Sequence, residues 1–520
     1  MSRSDWIALF LSFLAILAAY LVADRVFERM PHLEDEIAYV WQARLTAAGQ
    51  VTMDTPPLAK KFLIPFVVDY QGKRFGKYPL GWPVLLGVGV KLGVRDWVNP
   101  LLAGLAVWLT YRLGQKLMGE AVGLLAAGLT LVSPFFLVNS GSLLAHPFGL
   151  VLSLAFVIAW WDAVGEGRGW LAAVTAGLVL GVLGLARPFS ALAVAFPFGV
   201  CGVYVLVRGP AAARARVLLI GGIALLVAGL HFVWQYAATG DAWLNPYTLW
   251  WPYDRIGFGP GVGVTEGGHN LRLAWINTRH SLRVGASDLF GWPGISWIFL
   301  PFGVWAARRN GRMLLTGSVV VSLLVFYLAY WIGAWLFGPR YQFEGLYSLT
   351  LLSAAGIAWL GGWLPGAGQG ERAGGRGAEA RAGGASGPGN GDPARSRFRP
   401  LGVAALVALL IALNLVFYLP QRLNFMYGLY GISRARMAPF ETPEAQALTP
   451  AVIIVHADRW MDYGALLELE DPFLTTPFIF TFGDQPGLAQ VLRQLYPERG
   501  VYHYYPDEPY RFYTGERPLE

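Results

Sequence analysis

Three consecutive acids, Glu34, Asp35 and Glu36, follow closely on the first apolar segment, Trp6 to Ala23, and so stand where a membrane helix meets water. Charge is expensive there, and an ionisable cluster at membrane depth or on the membrane surface is by default a functional one. On a helix Asp35 and Glu36 point about 100° apart, so one acts on a substrate atom while the other supports it. A carboxylate ionised at neutral pH can take the proton from an acceptor hydroxyl or amine as that group attacks. Acids at a solvated helix N-terminus, favouring the dipole, are the plainer reading of the same residues. Their company favours chemistry: Lys60, Lys61, Lys73, Arg74 and Lys77 share the loop, and Lys77 stands immediately before Tyr78 and Pro79 at the membrane edge. A cation so placed can neutralise a phosphate whose lipid tail stays in the bilayer, or it can snorkel to ordinary headgroups.

Two arginines lie at expected ends of membrane spans, Arg187 before Pro188 and Arg340 in Gly338-Pro339-Arg340-Tyr341. Each can grip a phosphate or diphosphate leaving group bidentately, with Tyr341 beside the second, or serve as a structural anchor. His146 precedes Pro147 at another span end; His231 lies in an apolar span and reads as a hydrogen-bonded core residue; His269 and His280 read as loop residues. Their spacing is not that of a metal site.

The 520 residues are 55% hydrophobic and 14% charged, too apolar for an ordinary soluble globule. The single cysteine, Cys201, has no intrachain partner, so the chain holds neither a disulfide framework nor a cysteine metal site. The net charge of +7 gathers in short loops between apolar segments, a pattern of membrane orientation rather than nucleic-acid binding. The first apolar segment is long enough to be retained as a helix and lacks a small-residue cleavage pattern.

The positive-inside rule then sets the topology. Counting Pro79 to Leu92 as an interfacial or half-inserted piece puts Arg112 and Lys116, Arg208 to Arg216, Arg308 to Arg312 and the arginines between 371 and 399 on the cytoplasmic side. About eleven spans follow, near 6–24, 97–113, 121–139, 143–161, 169–186, 188–207, 216–237, 291–307, 313–336, 344–363 and 400–419. The N-terminus is expected inside and the C-terminus outside. Residues 35–48, with Ile37, Val40, Trp41 and Leu45 at helical spacing, suit an amphipathic helix on the interface. Residues 240–290 form a long loop dense in Trp, Tyr, Gly and His. Residues 1–363 thus form one membrane unit, 364–399 a Gly-, Ala-, Arg- and Ser-rich disordered linker, and 400–419 the last span. Residues 420–520 form a small outer α/β domain, with strands at 451–455 and 477–480 and a helix at 487–496.

The pair Asp35-Glu36, followed by Tyr39, Gln42-Ala43 and Gly49 and then Lys77-Tyr78-Pro79-Leu80-Gly81-Trp82-Pro83, resembles the membrane glycosyltransferases of the GT-C fold. The likeness runs to the protein O-mannosyltransferase and lipid A aminoarabinose transferase group, glycosyltransferase family 39-like. It extends over the first 200 residues or so, including the turn near Leu113 to Gly119 and Ser133-Pro134. The resemblance implies an all-α polytopic fold, a catalytic aspartate at Asp35 with Glu36 beside it, and a carrier-phosphate lysine at Lys77, here separated from Pro79 by Tyr78. Where many relatives carry an acid after the third span this chain has His146-Pro147, so no second acid or metal site is carried over there.

The expected function is an inverting transfer of a sugar from a polyprenyl-phosphate carrier to a lipid, glycan or protein acceptor at the outer face of the plasma membrane. Asp35 would be the general base, and Lys77 with an arginine would stabilise the departing phosphate. The scheme needs no soluble cofactor and is compatible with a divalent cation. Its partners are the lipid-linked donor, an acceptor of unspecified kind and membrane lipids, without nucleic acid. The alternative is a flippase or transporter of lipid-linked substrates, which calls for internal repeats and ionisable residues near span centres. No repeat is detectable. A membrane scaffold displaying the C-terminal domain is a third reading, and it leaves the acidic loop unexplained.

Overall fold

The computed structural model describes residues 1–165, 169–364, 393–483 and 485–517. In chain order, α1 (Arg3–Arg25) leads to α2 (Glu34–Ala47), to a small sheet of β1 (Met53–Asp54), β2 (Val67–Tyr70) and β3 (Lys73–Gly76), and to α3 (Gly81–Lys91). The bundle continues through α4 (Val98–Met118), α5 (Glu120–Leu131), α6 (Pro134–Gly141), α7 (His146–Val164), α8 (Gly169–Ala186), α9 (Pro188–Arg208) and α10 (Ala211–Thr239). A long connection carries α11 (Pro246–Trp250) and α12 (Leu271–Asp288) ahead of α13 (Leu300–Ala307) and α14 (Gly311–Tyr327). A 3₁₀ turn over Arg340–Gly345 opens α15 (Leu346–Gly361), and α16 (Pro393–Leu413) and α17 (Leu419–Met426) follow.

Among the described residues seven helices are long and apolar enough to cross a membrane, or eight if the bent pair α5–α6 is one span. The chain is a polytopic membrane protein. Its packing follows membrane logic: α1 turns Trp6, Phe10, Phe13 and Leu21 outwards and buries Ala8, Ser12, Ala15 and Ala19. Gly177 and Gly181 of α8 likewise lie against the backbone carbonyls of Ile220 and Ala224 on α10, an approach that a side chain would block. The α5–α6 bend of 59° falls at Ser133-Pro134, where the Ser133 hydroxyl caps α6 and the proline ring suits its first turn.

Several elements differ from the sequence reading. The segment expected as a span at 291–307 is regular helix only over α13, about 12 Å long, because Pro293 and Gly294 leave the preceding residues in turns closed by i→i+3 hydrogen bonds. The span expected over 313–336 ends at Tyr327, beyond which the backbone leaves the helix. The linker expected over 364–399 lies largely outside the described residues, and from Pro393 it belongs to α16. The helix over α2 is present, and its apolar stripe is covered by protein. Its Ile37, Trp41 and Leu45 pack against Phe440, Leu466, Leu467, Phe478 and Phe480 of the C-terminal region.

That region is built on three parallel strands, β4 (Ala451–Val455), β5 (Phe478–Phe482) and β6 (Gly500–Tyr504), ordered β5-β4-β6 with a helix over Leu488–Leu495. Arg44 of α2 locks onto it through the carbonyls of Leu467, Glu468 and Glu470 at 3.1, 3.0 and 2.5 Å. Neither β6 nor the β1–β3 sheet was anticipated. The β2–β3 hairpin turns at Gln71 and Gly72, both with positive φ, a two-residue turn whose Gly is its sequence signal.

Helix α3, about 16 Å long, is too short to span and carries the Lys77 loop into the bundle. A Cβ on Gly81 would stand 2.6 Å from the Ala186 backbone nitrogen and 2.7 Å from the Leu185 carbonyl carbon, contacts no rotamer can relieve. Gly81→Ala is therefore expected to lower stability by about 1–3 kcal/mol as α3 is forced off α8. A thermal midpoint equal to that of the unsubstituted protein would show the contact is not a constraint.

Candidate active site

Helix α2 begins where it does because Leu33 is extended and Glu36, three residues into the helix, folds back on its own start. One Glu36 oxygen accepts from the His32 and Leu33 amides at 2.8 and 3.0 Å, and the other from the Leu143 amide at 2.7 Å. Glu36 is fully buried and faces away from the cavity described below. The pairing of Asp35 with Glu36 as catalytic residues is thereby corrected: Glu36 caps the helix and pins the segment ahead of α7. Trp82 and Asn99 hold the same segment through the carbonyls of Leu143, Ser142 and Leu144.

With Glu36 turned inwards, Glu34 and Asp35 face a cavity of about 440 Å³. The structure brings Asp35, Lys77, Tyr78, His146, Arg187, Arg340 and Tyr341 together in its wall, from segments up to 306 residues apart. One Asp35 oxygen accepts from the Tyr78 hydroxyl at 2.5 Å and the other from both terminal nitrogens of Arg340 at 3.3 Å. Burial acts to raise the Asp35 carboxyl, but Arg340, Tyr78 and Lys77 outweigh it and hold the group below the usual carboxylate range.

Lys77 is not the free cation its position suggested. Its Nζ meets Asp254 Oδ2 at 3.1 Å, with both side chains buried, and lies 3.6 Å from the centre of the Phe66 ring, 4.8 Å from Trp251 and 4.9 Å from Tyr247. Asp254 also accepts from the Trp331 indole at 3.0 Å. Burial draws the Lys77 ammonium down, against the pull of Asp254 and Asp35. The third cation, Arg187, meets Glu344 at 2.5 Å, and His146 Nδ1 stands 3.3 Å from the same carboxylate oxygen. Tyr341 stacks on Tyr327 at 4.8 Å, and the Tyr327 hydroxyl bonds Ser190 at 2.8 Å.

Sequence reasoning missed Asp254, Glu344, Tyr327, Tyr330, Trp331 and Tyr430, all of which line the cavity or hold its cations. Two of them had a signal: Asp254 is the acid that directly follows Trp250-Trp251-Pro252-Tyr253, and Glu344 follows Arg340 by four residues. His231 also reaches the cavity wall. His269 bonds the Leu328 carbonyl at 2.9 Å, and His280 meets the Trp335 ring edge-on at 5.3 Å.

Glu34 was passed over as one of three acids, yet it is the cavity carboxylate with no hydrogen-bond or ion-pair partner among the described residues. Burial, helped by the Asp35 charge and opposed by Lys77, pushes its carboxyl up to about 7. Between the ordinary carboxylate value and that pH the folded protein holds a proton the unfolded chain gives up, so stability falls as pH rises through the window. Glu34→Gln should shrink the difference in thermal midpoint between pH 5 and pH 8. An unchanged difference would mean that Glu34 does not titrate there.

No family model matches the sequence, and no curated protein matches it. Solved structures do. The crystal structure of ArnT from Cupriavidus metallidurans bound to undecaprenyl phosphate is similar over 96% of this chain and 90% of its own, with a TM-score of 0.55 at 16% identity. The archaeal oligosaccharyltransferase AglB from Archaeoglobus fulgidus, in complex with an inhibitory peptide and a dolichol-phosphate, is similar over 91% of this chain and 64% of its own, with a TM-score of 0.51 at 13% identity. Both are GT-C fold glycosyltransferases, and the bundle that holds Asp35, Lys77 and Arg340 around one cavity has that fold.

Proposed function

We propose that this protein is a glycosyltransferase that moves a sugar from a polyprenyl-phosphate carrier to an acceptor at the extracytoplasmic face of the membrane, with inversion at the anomeric carbon. In this reading the N-terminus is cytoplasmic, the C-terminal region extracytoplasmic, and the membrane the plasma membrane. The observation that carries it is the Asp35 carboxylate, gripped by Tyr78 and Arg340, in the same cavity as the ring-lined Lys77–Asp254 pair. The carrier phosphates named with the two similar structures support a lipid phosphate as the donor's leaving group.

The acceptor hydroxyl or amine attacks the anomeric carbon from the face opposite the phosphate. As the new bond to that carbon forms, the carbon–oxygen bond to the phosphate breaks and its electron pair leaves on the phosphate. The acceptor's proton passes to Asp35. Lys77 takes up the charge on the phosphate once Asp254 yields its place, and Arg340, already on the Asp35 side of the cavity, adds a second cation. The scheme is written without a soluble cofactor. Among the described residues no three His, Cys, Asp or Glu side chains form a metal ligand set.

Asp35→Asn keeps the shape and removes the basicity, so the protein should insert and bind donor yet turn over at least about a hundredfold more slowly. Lys77→Ala alone would strand Asp254 in the interior, so the pair is removed together. The double variant Lys77→Met, Asp254→Asn should stay folded and bind the donor about ten- to a hundredfold more weakly, the loss of one hydrogen bond to a charged group. Full transfer by the Asp35 variant would remove the base from the scheme. Unchanged donor affinity in the double variant would return Lys77 to a structural role.

A further inference from the structure

Helix α12 lies outside the cavity chemistry, and its two faces differ sharply. Its inner face is knitted to the cavity wall: Asn277 donates to the Trp331 carbonyl and Ser281 to the Ala334 carbonyl, each at 3.0 Å. At its C-terminal end Asp288 pairs with Arg422 at 3.0 Å and accepts from Tyr418 at 2.5 Å, both in the last apolar stretch of the chain. Those anchors fix the C-terminal end of α12 against that stretch.

The outer face carries Arg272, Arg279 and Arg283, seven and four residues apart. At about 100° per residue the three fall within roughly 40° of one another, a stripe about 16 Å long. All three are exposed, and none has a hydrogen bond, ion pair or ring contact among the described residues. Leu271, Trp275 and Ile276 flank the stripe and are 72%, 60% and 50% exposed. Unpaired guanidinium groups between exposed apolar side chains suit a surface that is itself anionic above and hydrocarbon below. They do not suit water alone.

We propose that the outer face of α12 is a docking strip for the headgroups of anionic phospholipids. Guanidinium groups grip headgroup phosphates bidentately while Leu271, Trp275 and Ile276 enter the headgroup–acyl boundary. Because its inner face holds the Trp331 and Ala334 carbonyls, the strip braces one wall of the cavity against the bilayer.

The test uses the full-length protein and does not depend on sugar transfer, so it stands apart from the enzymatic reading. Native mass spectrometry of protein exchanged with phosphatidylglycerol or phosphatidylcholine should show a preference for phosphatidylglycerol. In the Arg272→Gln, Arg279→Gln, Arg283→Gln variant that preference should fall by about a hundredfold, each guanidinium contributing roughly fivefold. Arg308→Gln, Arg309→Gln, Arg312→Gln, around the basic turn between α13 and α14, removes the same three charges, serves as the control for net charge and should keep the preference. Equal phosphatidylglycerol preference in the triple variant and the unsubstituted protein would overturn the assignment, as would an equal loss in the control. A folded state is checked by the thermal midpoint, since the exposed arginines support no packing.

Discussion

Charge neutrality inside a buried cavity is the constraint that shapes this site, because every cation in its wall carries its own carboxylate: Arg340 with Asp35, Lys77 with Asp254, Arg187 with Glu344. Isolated charges in such surroundings cost several kcal/mol each, and pairing recovers that only with good geometry and further hydrogen bonds. In the proposed scheme an incoming phosphate does not meet a bare cation at Lys77; it takes the place of the Asp254 carboxylate. Asp35 is held by a tyrosine and an arginine at once, and that grip keeps it ionised and aimed.

The placement of Asp35 depends in turn on residues that touch no substrate in the proposed scheme. Glu36 caps α2 and ties it to the segment before α7, while Arg44 and the apolar stripe of Ile37, Trp41 and Leu45 bind the helix to the C-terminal region. The C-terminal region therefore acts on the cavity from behind, by fixing the helix that presents Glu34 and Asp35. It also reaches the cavity directly through Tyr430, whose positive φ is unusual for a tyrosine and turns the chain between Gly428 and Gly431.

Much of this was legible in the chain. Apolar segments and basic loops announced a polytopic membrane protein, and the acidic triplet with Lys77 pointed to the cavity before its walls were known. What stayed hidden was pairing across long separations. Nothing local to Lys77 says that an aspartate 177 residues away neutralises it, and nothing local to Glu36 says that one of its oxygens is taken by the Leu143 amide, 107 residues away. The stripe on α2 marks a helical face, but the C-terminal region and not lipid covers it, since periodicity reports that a face is buried and not what covers it. Hydropathy alone makes 291–307 a span, because it does not register that Pro293 and Gly294 break the α-helical ladder.

The most direct measurement is a structure of the full-length protein with a polyprenyl phosphate bound, by electron cryomicroscopy in a lipid nanodisc. The account predicts the phosphate in the cavity within about 4 Å of Lys77 Nζ, the distance of a direct ion pair, with the Asp254 carboxylate withdrawn and the Asp35–Arg340 pair facing the reacting side. A phosphate held elsewhere, with Lys77 and Asp254 still joined, would contradict it.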